Sequence, residues 1–232
     1  TSSLGNAAAG DVFIHQVSGN TNTITLTGAV NAKGGASGTA GGASDGGRVT
    51  VSNDQGAISL DGTIDVSKNV SGTNDGAIRL KASGNIADTT NALLTGDTNG
   101  SLSAYSTGGN IVLTQGATVA GTGAGQLGNA SVGHKMATVA FKSDTTTGSG
   151  NDGSITYLDQ TALTIGAVSA GAVTPVSAAN VNPSSVGALS GISTVAGTSK
   201  GDVKVRAGTG NHALTVSNAI VTTAGTTDTA SG

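Results

Sequence analysis

The chain has 232 residues, a net charge of −3, 39 glycines, four phenylalanines and tyrosines together, one methionine and neither tryptophan nor cysteine. Ten scattered Lys/Arg residues offer no basic stripe, which argues against a nucleic-acid partner. Without cysteine there is no disulfide or thiol chemistry, and a globular core built on aromatics is excluded. Val, Ile, Ala and Thr must pack in thin layers, as in a stacked β architecture. No run of 18 apolar residues appears, so no transmembrane helix is expected. The chain lacks a starting Met and a signal peptide, the pattern of a processed or excised segment.

The first expected coil, near 10–30, opens at Gly10 with VFI (12–14), followed by ITL (24–26) and Val30. The second, 47–66, is the clearest, with VTV (49–51), ISL (58–60) and IDV (64–66) separated by NDQG and DG. Period-two alternation predicts half-buried strands, and Gly, Asn and Asp supply the corners. Three strands and three corners in about twenty residues outline one turn of a β-solenoid. Further coils are expected at 76–94, 100–119, 153–168 and 201–221, with a degenerate one at 137–143.

On this spacing Val12, Val49, Ile78, Leu102, Ile155 and Val203 form one interior column. Inserts at 33–46, 67–75, 121–135 and 167–200 are expected to follow the third strand, at one corner. The last belongs to an uncharged stretch, 160–199, which holds Pro175 and Pro183. It reads as a loop or small hairpin on the outer wall, or as an apolar flap against a neighbouring subunit. No segment carries a capped 3.6-residue pattern, so an all-β chain with essentially no helix is expected, as a single domain over 1–232. Six or seven coils at about 4.8 Å give a rod on the order of 30 Å.

The corner before the second strand repeats asparagine at Asn22, Asn53, Asn85, Asn110 and Asn211, read as structural ladders. The outward second-strand column is expected as Thr25, Ser59, Val112, Thr164 and Thr215. The mixed flanking column of Thr23, Ala57, Asn110, Ala162 and Ala213 argues against an ice-binding face. The outward first-strand column, Phe13, Thr50, Arg79, Ser103, Thr156 and Lys204, has no stacked aromatics for sugars.

No catalytic, cofactor or metal residue is assigned. Asp54, Asp61 and Asp65 lie close in sequence, as do Asp152 and Asp159, yet Asp54, Asp61 and Asp152 fall in turns, where Asp is common for backbone reasons. His15, His134 and His212 lack metal spacing and read as surface residues. The turns at Asn53-Asp54, Asn74-Asp75-Gly76 and Asn151-Asp152-Gly153 offer at most weak calcium contact. Asn69, Asn99 and Asn129 match the glycosylation sequon by pattern.

The phrases GRVTVSNDQGAISLDGTIDV, GSLSAYSTGGNIVLTQGATVA and GDVKVRAGTGNHALTVSNAIV resemble the haemagglutinin-type repeats of large secreted bacterial adhesins. These are the filamentous-haemagglutinin-like two-partner-secretion exoproteins and autotransporter passenger shafts. The resemblance covers about half the chain, in the coil cores. It implies a right-handed parallel β-helix, secreted to or displayed on a bacterial cell surface. The expected role is a non-enzymatic structural or adhesive one, as a shaft segment or self-assembling filament subunit. Partners would be further coils end to end, or a host or matrix surface. The alternatives are a β-helical polysaccharide-active enzyme or carbohydrate-binding module, and a β-sandwich pilin completed by a donated strand.

Overall fold

The computed structural model describes residues 9–17, 19–35, 43–116, 133–145, 153–170, 186–195, 201–208 and 212–223. Among them the secondary structure is all β, with no helix and so none able to cross a membrane. The chain visits three parallel sheets in rotation. Its first turn lays down β1 (Val12–Gln16), β2 (Ile24–Leu26) and β3 (Val30–Asn31). The second adds β4 (Arg48–Asn53), β5 (Ile58–Leu60) and β6 (Thr63–Asp65). The third adds β7 (Ala77–Ala82), β8 (Ile86–Asp88) and β9 (Leu93–Thr95). Each strand pairs in parallel with its counterpart in the next turn, as in Val12 to Val49 to Ile78.

β10 (Ser101–Ser106) and β11 (Ile111–Leu113) continue the first two sheets. Among the described residues the third continues through bridges, Thr95 with Lys135 and His134 with Asp159, and the expected third strand at Val119 lies outside them. β12 (Thr138–Asp144) then pairs along the whole of β10. The 137–143 stretch is therefore a complete first-sheet strand and not a degenerate coil.

This shifts the phase of everything that follows. β13 (Ile155–Leu158) pairs with β11, and β18 (Val203–Arg206) pairs with β13, all in the second sheet. Val12, Val49, Ile78 and Leu102 share a column that Val139 continues. Ile155 and Val203 instead stack above Ile24, Ile58, Ile86 and Ile111. Thr156 and Lys204 move with them into the second-sheet column of Thr25, Ser59, Ala87 and Val112. Thr164 and Thr215 belong to the first sheet, beside Thr138.

The largest insert also sits elsewhere than expected. β12 is followed in the first sheet by two strands, β14 (Leu163–Ile165) on Thr138 and Val139, and β17 (Ile192–Val195) on Phe141–Asp144. Between them the chain leaves the sheet at the level of Ala140. It forms an antiparallel pair from β15 (Ala167–Val168) and β16 (Leu189–Ser190). The two ends of this excursion are tied where Gly191 N–H donates to Gly166 O at 2.8 Å. The next turn, β19 (Leu214–Val216) and β20 (Ile220–Thr223), crosses the same gap with only Ser217, Asn218 and Ala219. The excursion thus interrupts a strand, and does not follow a third one.

The core lies between the sheets. Val49, Val51, Ile78, Leu80, Leu102, Leu113, Ile155 and Ile165 are fully buried. β-Branched and leucine side chains at alternate positions fill each layer, at about 1.5–3 kcal/mol per large side chain. Where β4 and β7 begin, glycines let successive turns touch backbone to backbone. A Cβ on Gly76 would lie 1.7 Å from Gly47 O, and one on Gly47 would lie 2.3 Å from Gly10 O. The glycines that open the second and third coils are therefore required by close approach.

Candidate functional site

The polar residues collect at the corners and on the outer face of the first sheet. At the first corner Asn53 donates through Nδ2 to Asn22 O and Ala57 O, and its Oδ1 accepts Gly56 N–H. Asn85 Oδ1 accepts Asn110 N–H, and Asn110 Oδ1 accepts Gly153 N–H and Ser154 N–H. These asparagines link neighbouring turns by satisfying corner backbone groups, as read from the sequence. Asn211 lies outside the described residues.

The carboxylates do not converge on a cleft. Asp54 lies 3.1 Å from His15 Nε2, Asp61 accepts from Thr89 Oγ1 and Asn91 Nδ2, and Asp65 accepts Ser67 N–H. Asp54 and Asp61 occupy two different corners of one turn, and Asp65 ends β6. Asp152 lies outside the described residues. At the turn of Asn74 and Asp75, the Asp75 carboxylate accepts N–H from Lys68, Thr98 and Asn99 and the Thr98 hydroxyl. Donors pointing at a carboxylate occupy the lone pairs that calcium would need. Among the described residues no group of three His, Cys, Asp or Glu side chains is placed to hold a metal. Of the sequons, Asn69 is buried with Nδ2 bonded to Gly35 O, and Asn99 Nδ2 is bonded to Thr73 O. Asn129 is outside the described residues.

Three exposed or partly exposed carboxyls are held below their ordinary range. The Arg48 guanidinium lowers Asp11, the Asn74 donors lower Asp45, and the Thr89 hydroxyl lowers Asp61. Folded values below the unfolded 3.8 contribute stability that is complete above that value and lost as pH falls through the folded ones. Burial raises Asp159 in the opposite sense, so it opposes the other three. Thermal unfolding scanned from pH 5 to pH 3 should show Tm falling, with a shallower fall in Asp45→Asn. A flat profile would contradict this reading.

The densest buried polar cluster was not flagged in the sequence. Asp88 takes the inward position that Leu26 and Leu60 fill in the turns before and Leu113 next to it. Its Oδ1 accepts Thr114 N–H at 2.9 Å and its Oδ2 accepts Gln115 N–H at 2.6 Å. His134 Nε2 lies 3.0 Å from the same Oδ2, poorly aligned for a linear bond. His134 Nδ1 accepts Leu94 N–H, which assigns the ring proton to Nε2.

Asp159, one bridge along, accepts Met136 N–H and Tyr157 Oη–H on Oδ2, and Thr161 N–H and Oγ1–H on Oδ1. Burial pushes the Tyr157 phenol well up, and the Asp159 charge adds to it. His134 stacks on Tyr157 at 5.6 Å, and Phe141 meets Tyr157 at 5.1 Å. Gln115 Oε1 accepts Gly133 N–H and Gln160 Nε2 donates to Gly133 O. The cluster closes the corner where the chain returns at Gly133. His134, Asp159 and the Asp88 side chain are fully enclosed, so no substrate reaches them and their chemistry is structural. The surface reading of the histidines holds for His212 alone. His15 and His134 are buried against carboxylates. The available sequence signal was IAD (86–88), which breaks the apolar-x-apolar rule of every neighbouring coil.

The outer face of the first sheet carries a column in register, Phe13, Thr50, Arg79, Ser103 and Ala140. β15 packs over β10 and β12, and β16 over β12, with Val168 and Val186 buried beneath. The antiparallel pair of β15 and β16, the described part of the 167–200 insert outside the first sheet, thus lies on the outer wall, while residues 171–185 and 196–200 lie outside the described residues. The pair covers the column, leaving Arg79 4 % exposed and Ser103 and Ala140 wholly buried.

At the far end, by contrast, Leu214, Val216, Ile220 and Val221 are exposed. Leu214, Val216 and Ile220 border a groove of about 600 Å³ that Val203 and Val205 also line. Compared with known protein families, curated proteins and solved structures, the chain matches none.

Proposed function

We propose that the chain is a right-handed parallel β-helix serving as a non-enzymatic structural or adhesive element of a bacterial cell surface, as the self-assembling subunit or shaft segment of an extracellular filament. One observation carries this reading. The outermost described strands at both ends are edges of the same two sheets, β1 and β2 at one end, β19, β20 and β18 at the other. Val12, Ile14, Ile24 and Leu26 are partly exposed at the first end, and Leu214, Val216 and Ile220 are open at the second. A parallel edge with apolar columns accepts a further parallel strand at about 4.8 Å. Head-to-tail stacking continues both sheets without any new kind of contact. The resemblance of the coil phrases to adhesin repeats supports the same role, as does the dispersal of the carboxylates over separate corners.

Sedimentation velocity and electron microscopy at rising concentration test the subunit version. Rods growing with concentration are expected, and Leu214→Lys with Val216→Lys should return a folded monomer. A wild-type chain that stays a dispersed monomer, or rods unaffected by the two lysines, overturns it.

A further inference from the structure

The guanidinium of Arg79 is always charged and is enclosed between the first sheet and the hairpin. Its Nε donates to Ser169 O at 3.0 Å, but Nη1 is buried with no partner. Among the described residues no carboxylate stands within ion-pair distance of it. The nearest cation, Arg48, is already committed to Asp11, with Nε 3.0 Å from Oδ1 and Nη2 2.5 Å from Oδ2. Ser103 is the register neighbour of Arg79 on β10, and its Oγ is likewise buried without a partner. Ser169 follows β15, which packs over β10 and β12, so the Arg79 side chain reaches from β7 toward the side of the sheet where β10 carries Ser103. The outward residues on either side, Thr50 beside Arg79 and Ala140 beside Ser103, are small and carry no charge.

A buried charge is ordinarily paired, and an unpaired donor beside it is costly. Two unpaired groups on adjacent strands, one a cationic fork and one a hydroxyl, match what an oxyanion accepts. We propose that the covered outer face of the first sheet is a binding site for a small oxyanion, a carboxylate, sulfate or phosphate, held between Arg79 Nη1 and Ser103 Oγ. The anion neutralises Arg79 and joins hairpin to sheet. This site is independent of whether the chain assembles into rods.

Isothermal titration and thermal unfolding of the full chain with sodium sulfate, phosphate or acetate, each against sodium chloride at equal ionic strength, test it. At saturation one of the three should raise Tm by roughly 2–4 °C above the chloride control. Ser103→Ala should weaken binding about tenfold, and Arg79→Gln should abolish it. Which salt binds separates a carboxylate site from a sulfate or phosphate one. Because Arg79→Gln removes a residue that also holds the hairpin, Ser103→Ala is the decisive variant. Equal responses to all salts, absence of binding heat, or unchanged affinity in Ser103→Ala overturns the proposal.

Discussion

Replacing Asp88 by alanine is expected to lower the unfolding free energy by about 3–5 kcal/mol, the range for breaking a buried charged network. The reason is the number of groups that depend on one carboxylate. Thr114 N–H and Gln115 N–H lose their acceptor, and His134 Nε2 loses its facing oxygen. Each orphaned buried donor costs about 1–3 kcal/mol. Leucine at this position would restore the apolar column of Leu60 and Leu113 yet leave the same donors unpaired, so it should not rescue stability. Urea unfolding of Asp88→Ala, His134→Ala and the double variant measures how much of the loss the pair shares. A wild-type midpoint in Asp88→Ala would mean that water replaces the carboxylate, and the polar cluster would not hold the corner closed.

Phe141→Ala is expected to cost about 3–5 kcal/mol, the usual loss for emptying a buried phenylalanine site. Phe141 is one of the two largest fully buried side chains, and its ring meets that of the other, Tyr157. Its register partners are Ala104 in β10 and Ile192 in β17, so a small residue lies on one side and no neighbouring ring refills the space. Phe141→Leu should lose distinctly less, because most of the volume remains. Chemical denaturation of the two variants side by side gives the comparison. Equal losses would mean that the aromatic contact, and not the volume, sets the cost.

The first half of the stack was legible almost residue by residue. ISL (58–60) is β5 as expected, and VTV (49–51) lies inside β4. Strict alternation between polar corners leaves one face for the interior, and alternation needs no knowledge of distant contacts. Which sheet a strand joins is a different matter, since ITY (155–157) and LSA (102–104) carry the same local pattern. In the early turns the third-wall strand keeps count of the rotation. After β9 the described part of that wall is Lys135, His134 and Asp159, which show no period-two triplet to keep the count between sheets. The buried polar corner was illegible for a related reason. Its partners, Asp88, Gln115, His134 and Asp159, are brought together only by stacking of turns far apart in sequence. Arg79 looked like any exposed strand cation because its cover comes from a segment about ninety residues later.

The split in the first sheet has one more consequence. The chain departs at Gly166 and rejoins at Gly191, yet the next turn spans the same gap with Ser217, Asn218 and Ala219, so the ladder on either side is indifferent to what is inserted there. Such a gap is a ready-made graft point, where a foreign peptide of arbitrary length can be displayed on the flank of a rigid scaffold. Its attachment stems are set by the paired glycines and not by the passenger.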